Sequence, residues 1–173
     1  MSSIIKKRRI LLVEDEALVA MSEKKVLTKQ GYEVEHSTTG EGAVDAVAAN
    51  PKIDLVLMDI NLGEGIDGTE AAERILRIRD IPVVFLSSHT EPEVVEKTEG
   101  ITSYGYIVKD SGDTVLLTSI KMAFRLFEAR RNDERFRHIM DSMQDVVFTL
   151  DREKRHTGVY GPWVSMSGAT PDF

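Results

Sequence analysis

Ile53-Asp54-Leu55-Val56-Leu57-Met58-Asp59-Ile60-Asn61 is the stretch on which the reading of this chain turns. The apolar run Leu55–Met58 stops at a carboxylate, and a loop with Gly63, Gly65 and Gly68 follows. A short continuous apolar run bounded by turn residues is the pattern of a strand buried on both faces of a parallel sheet. Open α/β sheets keep their chemistry at the carboxyl ends of such strands. Asp59 stands at that end.

The same pattern recurs on either side. Ile10–Val13 is a second apolar run, ending in Glu14-Asp15-Glu16. Leu18, Met21, Val26 and Leu27 follow at helical spacing, and Gly31 is placed to stop that helix. Glu33–Ser37 alternates weakly, as a short strand does, and Ala43, Val44, Ala46 and Val47 make a small-residue helix closed by Asn50-Pro51. Downstream of Asp59, Asp67-Gly68 reads as the entry to a helix carrying Ala72, Ile75 and Leu76. Val83–Leu86 is a fourth buried strand, ending in Ser87-Ser88-His89, and Pro92 opens a helix to about Thr98. Tyr104–Val108 is a fifth strand ending at Lys109, and Ser111 or Asp113 caps a last helix from about Thr114.

Five strand–helix units in succession imply an α/β fold with a doubly wound parallel sheet, flavodoxin-like, in the order 2-1-3-4-5. That order sets the first and third strands side by side. Glu14, Asp15 and Asp59 then meet in one crevice, with Ser87 and Lys109 on its rim.

Composition excludes several classes. The 173 residues are 42% hydrophobic and 29% charged, as in ordinary soluble domains. A net charge of −7 argues against a nucleic-acid surface. No cysteine is present, which removes disulfides and thiolate metal sites and fits a reducing compartment. No apolar run approaches the ~20 residues that span a bilayer. Lys6-Lys7-Arg8-Arg9 precedes too short an apolar run for a signal peptide and reads as a solvated strand entry. The expectation is a cytoplasmic protein with no membrane or nucleic-acid partner in this part of the chain.

The last helix carries more apolar surface than one sheet face needs. Leu116, Ile120, Ala123, Phe124 and Phe127 form one stripe, while Val115, Met122, Leu126 and Ala129 form a second about a third of a turn away. Either the helix sinks deep in its own domain or the second stripe meets a partner. Charge density then rises from Glu128 to Arg137, as in a solvated helical linker. Phe136, Ile139, Met140 and Met143 resume helical spacing, and Val146–Leu150 and His156–Tyr160 read as strands around a turn at 151–154. The expected organisation is a first domain at 1–128, a helical linker at 129–143 and a partial α+β segment at 144–173, the start of a second domain.

Three carboxylates in one crevice repel one another and call for a cation. Mg²⁺ favours a few carboxylates plus waters and phosphate oxygens. Glu14, Asp15 and Asp59 contribute three negative charges, which Mg²⁺ and Lys109 balance. Asp59 can then act as a nucleophile toward a phosphoryl group, with Lys109 and the Ser87 hydroxyl on the transferring oxygens.

These residues resemble the receiver domains of two-component response regulators. The resemblance covers Ile10 to about Phe127 and rests on Glu14-Asp15, Asp59, Ser87, and Tyr106 with Lys109, each at its strand end. It implies that Asp59 is the phosphoacceptor, with Asp59, Lys109 and Ser87 as the catalytic set. It implies Mg²⁺ on Asp15, Asp59 and the Asn61 carbonyl, with Glu14 acting through water. Ser87 and Tyr106 would be the switch pair, and Asn61 and His89 would flank the path of the hydrolytic water. The donor implied is a histidine kinase or phosphotransfer protein. The output face would be formed by the helix after the fourth strand, the fifth strand and the last helix, with a homodimer expected through the last helix. The receiver would catalyse its own phosphotransfer and dephosphorylation. The segment from about Phe136 resembles the start of a PAS sensor domain, an arrangement found in hybrid sensory histidine kinases; any kinase module would lie beyond residue 173.

Two features depart from the family pattern. The loop 61–68 is longer than usual and lacks Met-Pro, and Lys109 is followed by Asp110 where proline is common. The Lys109–Asp110 peptide is therefore expected to be trans. His36 and His156 have no recognisable partner, and His138 reads as a surface residue. A haloacid-dehalogenase-type phosphohydrolase is the alternative from another class. It needs a second Asp two residues after the nucleophile, where this chain has Asn61, and its nucleophile belongs on the first strand.

Overall fold

The central parallel strands form where an apolar run meets a polar stop. The computed structural model describes residues 7–88, 100–101, 104–142, 147–153 and 155–160. The chain divides into two units, Met1–Phe127 and Glu128–Phe173.

In the first unit the strands are β1 (Arg9–Val13), β2 (Glu33–Ser37), β3 (Leu55–Asp59), β4 (Val83–Ser87) and β5 (Tyr106–Val108). They form one five-stranded parallel sheet in the order β2-β1-β3-β4-β5. This is the doubly wound, flavodoxin-like arrangement expected from the sequence. The register aligns the carboxyl ends: Val13 pairs with Met58, Asp59 with Leu86 and Ser87 with Val108.

Period-two alternation sends each strand's side chains to two cores. Leu11, Val13, Val56, Met58, Val83 and Phe85 pack with α2 (Gly40–Ala49) and α3 (Gly68–Ile78), through Ala43, Val47, Ala71, Ala72 and Ile75. Ile10, Leu12, Leu55, Leu57, Val84 and Leu86 pack on the other side with α1 (Ala17–Lys29) and the first half of α4 (Asp113–Ser142). The stripe Leu116, Ile120, Ala123 and Phe124 is buried there, with Phe127 partly so. Val115, Met122 and Leu126 of the second stripe are exposed.

Helix ends follow local chemistry. Asp67 caps α3, its Oδ1 accepting from the Glu70 N–H at 2.8 Å, and Thr39 Oγ1 caps α2 by accepting from Gly42. Gly31, at φ +91°, turns the chain after α1. No cis peptide bond occurs among the described residues, in line with the expectation for Lys109–Asp110. Asp110 instead takes a left-handed φ of 66°, a conformation that Asp tolerates better than most residues.

Three details differ from the sequence reading. On α1, Leu18 and Met21 are 83% and 70% exposed. The buried residues are Ala20 and Leu27, because the small Ala20 lets the helix approach the sheet. β5 starts at Tyr106 rather than Tyr104, although the Gly105 carbonyl already accepts from the Phe85 N–H at 2.9 Å. Neither expected cap serves α4: the Ser111 hydroxyl donates to the Val108 carbonyl, and Gly112 precedes the helix. The expected helix at 92–98 lies outside the described residues.

In the second unit, β6 (Val147–Leu150) and β7 (His156–Tyr160) form an antiparallel pair. Asp151 closes the turn by accepting from the Arg155 N–H at 2.9 Å. Phe136 and Ile139 of α4 are exposed. No helix among the described residues is long and apolar enough to cross a membrane.

Candidate functional site

Asp59 closes β3 and is 2% exposed. Its Oδ1 accepts from the Asn61 N–H at 3.1 Å and its Oδ2 from Lys109 Nζ at 2.8 Å. Glu14, one residue past β1, is fully buried. Its Oε1 accepts from the Glu16 N–H at 3.1 Å, and its Oε2 lies 2.6 Å from Lys109 Nζ. That second contact is an ion pair without hydrogen-bond alignment. Asp15 is exposed, and its Oδ2 accepts from the Gly63 N–H at 3.0 Å. Carboxylate oxygens of Glu14, Asp15 and Asp59 lie within 4.8 Å of one another.

Lys109 follows β5 and bridges the two buried carboxylates. Burial works to lower its pKa, but the bonds to Asp59 and Glu14 outweigh that and raise it, so it stays an ammonium. Glu14 is nonetheless raised, by burial first and by Asp59 next, against the pull of Lys109. The two directions are compatible. One ammonium cannot compensate two buried carboxylates, and Glu14 carries the deficit. An all-oxygen donor set with unmet negative charge suits a hard divalent cation. Glu14, Asp15 and Asp59 therefore fit such an ion.

Ser87 ends β4 and is fully buried, and its carbonyl accepts from the Lys109 N–H at 2.7 Å. Tyr106 pairs with Phe85, and Ser87 with Val108. Alternation therefore puts Ser87 and Tyr106 on one face of the sheet, where the half-buried Tyr106 packs on the α2–α3 core. The structure thus gathers Glu14, Asp15, Asp59 and Lys109 at one point and places Ser87 and Tyr106 alongside. Asn61 is exposed and reaches Asp59 through its backbone. His89 lies outside the described residues.

Several supports escaped the sequence reading. His36, expected to lack a partner, has Nε2 2.8 Å from the Glu14 carbonyl oxygen and helps fix that residue's backbone. Its position beside the end of β1, opposite Leu12, was the available signal. Glu41 at the start of α2 accepts from the Ile66 N–H at 3.0 Å, tying down the long loop. Gly68 lies so close to β3 that a Cβ there would collide with the Asp59 carbonyl oxygen.

Residues 10–121 match the response regulator receiver domain family. The transcriptional regulatory protein PdtaR of Mycobacterium tuberculosis is 35% identical over 121 residues, which cover 69% of this chain and 58% of PdtaR. The chain thus spans little more than half the length of that relative. Chemotaxis protein CheY of Treponema pallidum is 37% identical over 106 residues, 58% of this chain and 72% of CheY. Among solved structures, the N-terminal domain of a response regulator/sensory box/GGDEF 3-domain protein from Carboxydothermus hydrogenoformans is 49% identical. The two superpose with a TM-score of 0.67, covering 71% of this chain and 98% of that one. The family match runs from the first strand into the last helix and takes in every strand end of the site, and the chain belongs to the response regulator receiver domain family.

Proposed function

We propose that Asp59 accepts a phosphoryl group from a phosphohistidine donor and that the domain relays this event through the face formed by the helix expected after β4, by β5 and by α4. The observation that carries the reading is the buried Asp59 carboxylate, held by Lys109 at 2.8 Å with Glu14 and Asp15 beside it. In the transfer an Asp59 O–P bond forms and the donor's N–P bond breaks, the electron pair staying on the imidazole nitrogen. The Lys109 ammonium follows the transferring oxygens, and the Ser87 hydroxyl donates to one of them after a short movement. Asp15, Asp59 and the Asn61 carbonyl, with Glu14 through water, would hold Mg²⁺, which would supply charge neutralisation on those oxygens. The exposed Leu18 and Met21 at the start of α1 offer the donor an apolar landing beside the rim.

Phosphorylation adds about two negative charges. Ser87 moves toward them, and Tyr106, on the same sheet face, rotates into the space released. The exposed stripe Val115, Met122 and Leu126 on α4 is where we place the resulting change, as a homodimer interface. Asn61 and His89 set the phosphoryl lifetime. Residues 129–143 serve as linker, and residues 144–173 begin a PAS-like domain. Support for that context comes from the antiparallel β6–β7 pair and from the sensory box in the name of the C. hydrogenoformans relative.

The test is phosphorylation by acetyl phosphate with Mg²⁺, followed by intact mass. One phosphoryl group per chain is expected, and none in Asp59→Asn. Wild-type stoichiometry in that variant overturns the assignment.

A further inference from the structure

Glu23 lies on α1 between the buried Ala20 and Leu27, on the stripe that faces the sheet. An apolar residue is the ordinary occupant of such a position. Its Oε2 is buried and has no hydrogen-bond partner among the described residues. A buried acceptor left unpaired is costly, so its placement calls for an explanation.

The sheet face that α1 covers supplies one. Met58 and Val13 point into the α2–α3 core, so alternation directs the next residues, Asp59 and Glu14, to the α1 side. By the same parity Lys109 follows Val108, which lies on the Tyr106 side, and leans toward α1. A cavity of about 570 Å³ opens there, lined by Glu23, Ser22 and Val19 of α1 and by Lys109, Ser111 and Leu116 across from them. Glu23 thus shares a chamber with the Lys109 ammonium.

We propose that Glu23 is a positioning residue for Lys109: across this cavity its carboxylate competes with Asp59 for the ammonium and sets how firmly Lys109 is held on the phosphoacceptor. The proposal rests on the reading of Asp59 given above. Several charged groups among the described residues face Glu23. Glu14 and Asp59 repel it, Lys109 attracts it, and Glu16, Asp110 and Asp113 ring the cavity. Burial and Glu14 push the Glu23 carboxyl up to about 7, with Lys109 opposing and Asp59 adding to the rise. The competition therefore switches on as pH rises through neutrality. A protonated Glu23 leaves Lys109 to Asp59; an ionised one draws it back.

The test compares wild type, Glu23→Gln and Glu23→Leu in the full chain, with two readouts. The first is the rate of Asp59 phosphorylation by acetyl phosphate at saturating Mg²⁺ from pH 6 to 8.5, a range in which the donor's charge is constant. The wild-type rate is expected to fall by up to about fivefold, the scale of one added charge at short range, with an inflection no higher than about 7 because Mg²⁺ offsets the Glu14 and Asp59 charges that raise Glu23, while both variants stay flat near the low-pH plateau. The second is the ¹⁵N resonance of the Lys109 ammonium in metal-free protein, expected to move with an inflection near 7 in wild type and to stay still in Glu23→Gln. A Glu23→Gln protein, folded by circular dichroism, that keeps the wild-type rate profile and resonance shift overturns the proposal. Phosphorylation of Asp59→Asn overturns the underlying reading instead, and the resonance readout still decides on Glu23.

Discussion

Replacing Glu23 by leucine isolates the energetic cost of burying its charge. The pKa of the carboxyl rises from 4.5 to about 7, chiefly through burial. A carboxyl whose folded pKa exceeds its unfolded one gains a proton on folding. Between those two values the native state binds more protons than the unfolded state. The contribution of Glu23 to wild-type stability therefore falls as pH rises through about 4.5 to 7 and levels off above. At 1.36 kcal/mol per pH unit the full effect is ~3.4 kcal/mol. Glu23 is only half-buried, and solvent screening cuts this to ~1.5–2.5 kcal/mol. Leucine adds apolar contact between Ala20 and Leu27, worth ~1 kcal/mol at any pH. The variant should exceed the wild type by ~2.5–3.5 kcal/mol at pH 8 and by ~1 kcal/mol at pH 4.5. Urea titration of the full chain with chelator present, following the transition of the sheet-containing unit, gives both differences. An advantage of equal size at the two pH values refutes the reasoning, because it means that Glu23 does not titrate between them.

Other outcomes follow from the same geometry. Lys109→Ala leaves Asp59 and Glu14 buried without their cation and should cost ~3–5 kcal/mol at neutral pH in chelator, with Mg²⁺ restoring part of the loss in the same titration. Gly68→Ala forces a Cβ against the Asp59 carbonyl; it should destabilise by ~2 kcal/mol or more and weaken Mg²⁺ binding measured calorimetrically. Leu126→Glu should abolish any association promoted by beryllofluoride and leave the mass of the metal-free protein unchanged by light scattering. Unaltered association in that variant would exclude the stripe as the interface.

The fold was legible because the central strands β1, β3 and β4 are written as uninterrupted apolar runs with a polar stop, while the edge strand β2 shows only a weak alternation. Leu55–Met58 and Val83–Leu86 are buried on both faces, a burial that leaves no room for ambiguity of period. The acidic residues and Lys109 were legible for the same reason, since chemistry sits where such runs end. The α1 stripe was not. Counting large apolar residues selects Leu18 and Met21, which face solvent, and overlooks Ala20 and Glu23, whose inward placement is decided by how closely the helix approaches the sheet. His36 also escaped, because its bond goes to a backbone carbonyl and no side-chain pattern encodes that. The caps of α4 were misread because Ser111 spends its hydroxyl on Val108.

The lengthened loop after β3 has one more consequence. Asp15 is exposed, and a free aspartate there would sample several rotamers. The Gly63 N–H, 3.0 Å from Oδ2, selects one, and the Glu41 bond to Ile66 keeps the loop that carries this donor in place. The ordering entropy of that side chain, a few tenths to about 1 kcal/mol, is thereby spent during folding rather than when a cation arrives. An insertion that looks like a departure from the family pattern thus serves as a preorganising strut. It can raise cation affinity by a factor of about two to five without adding a single ligand.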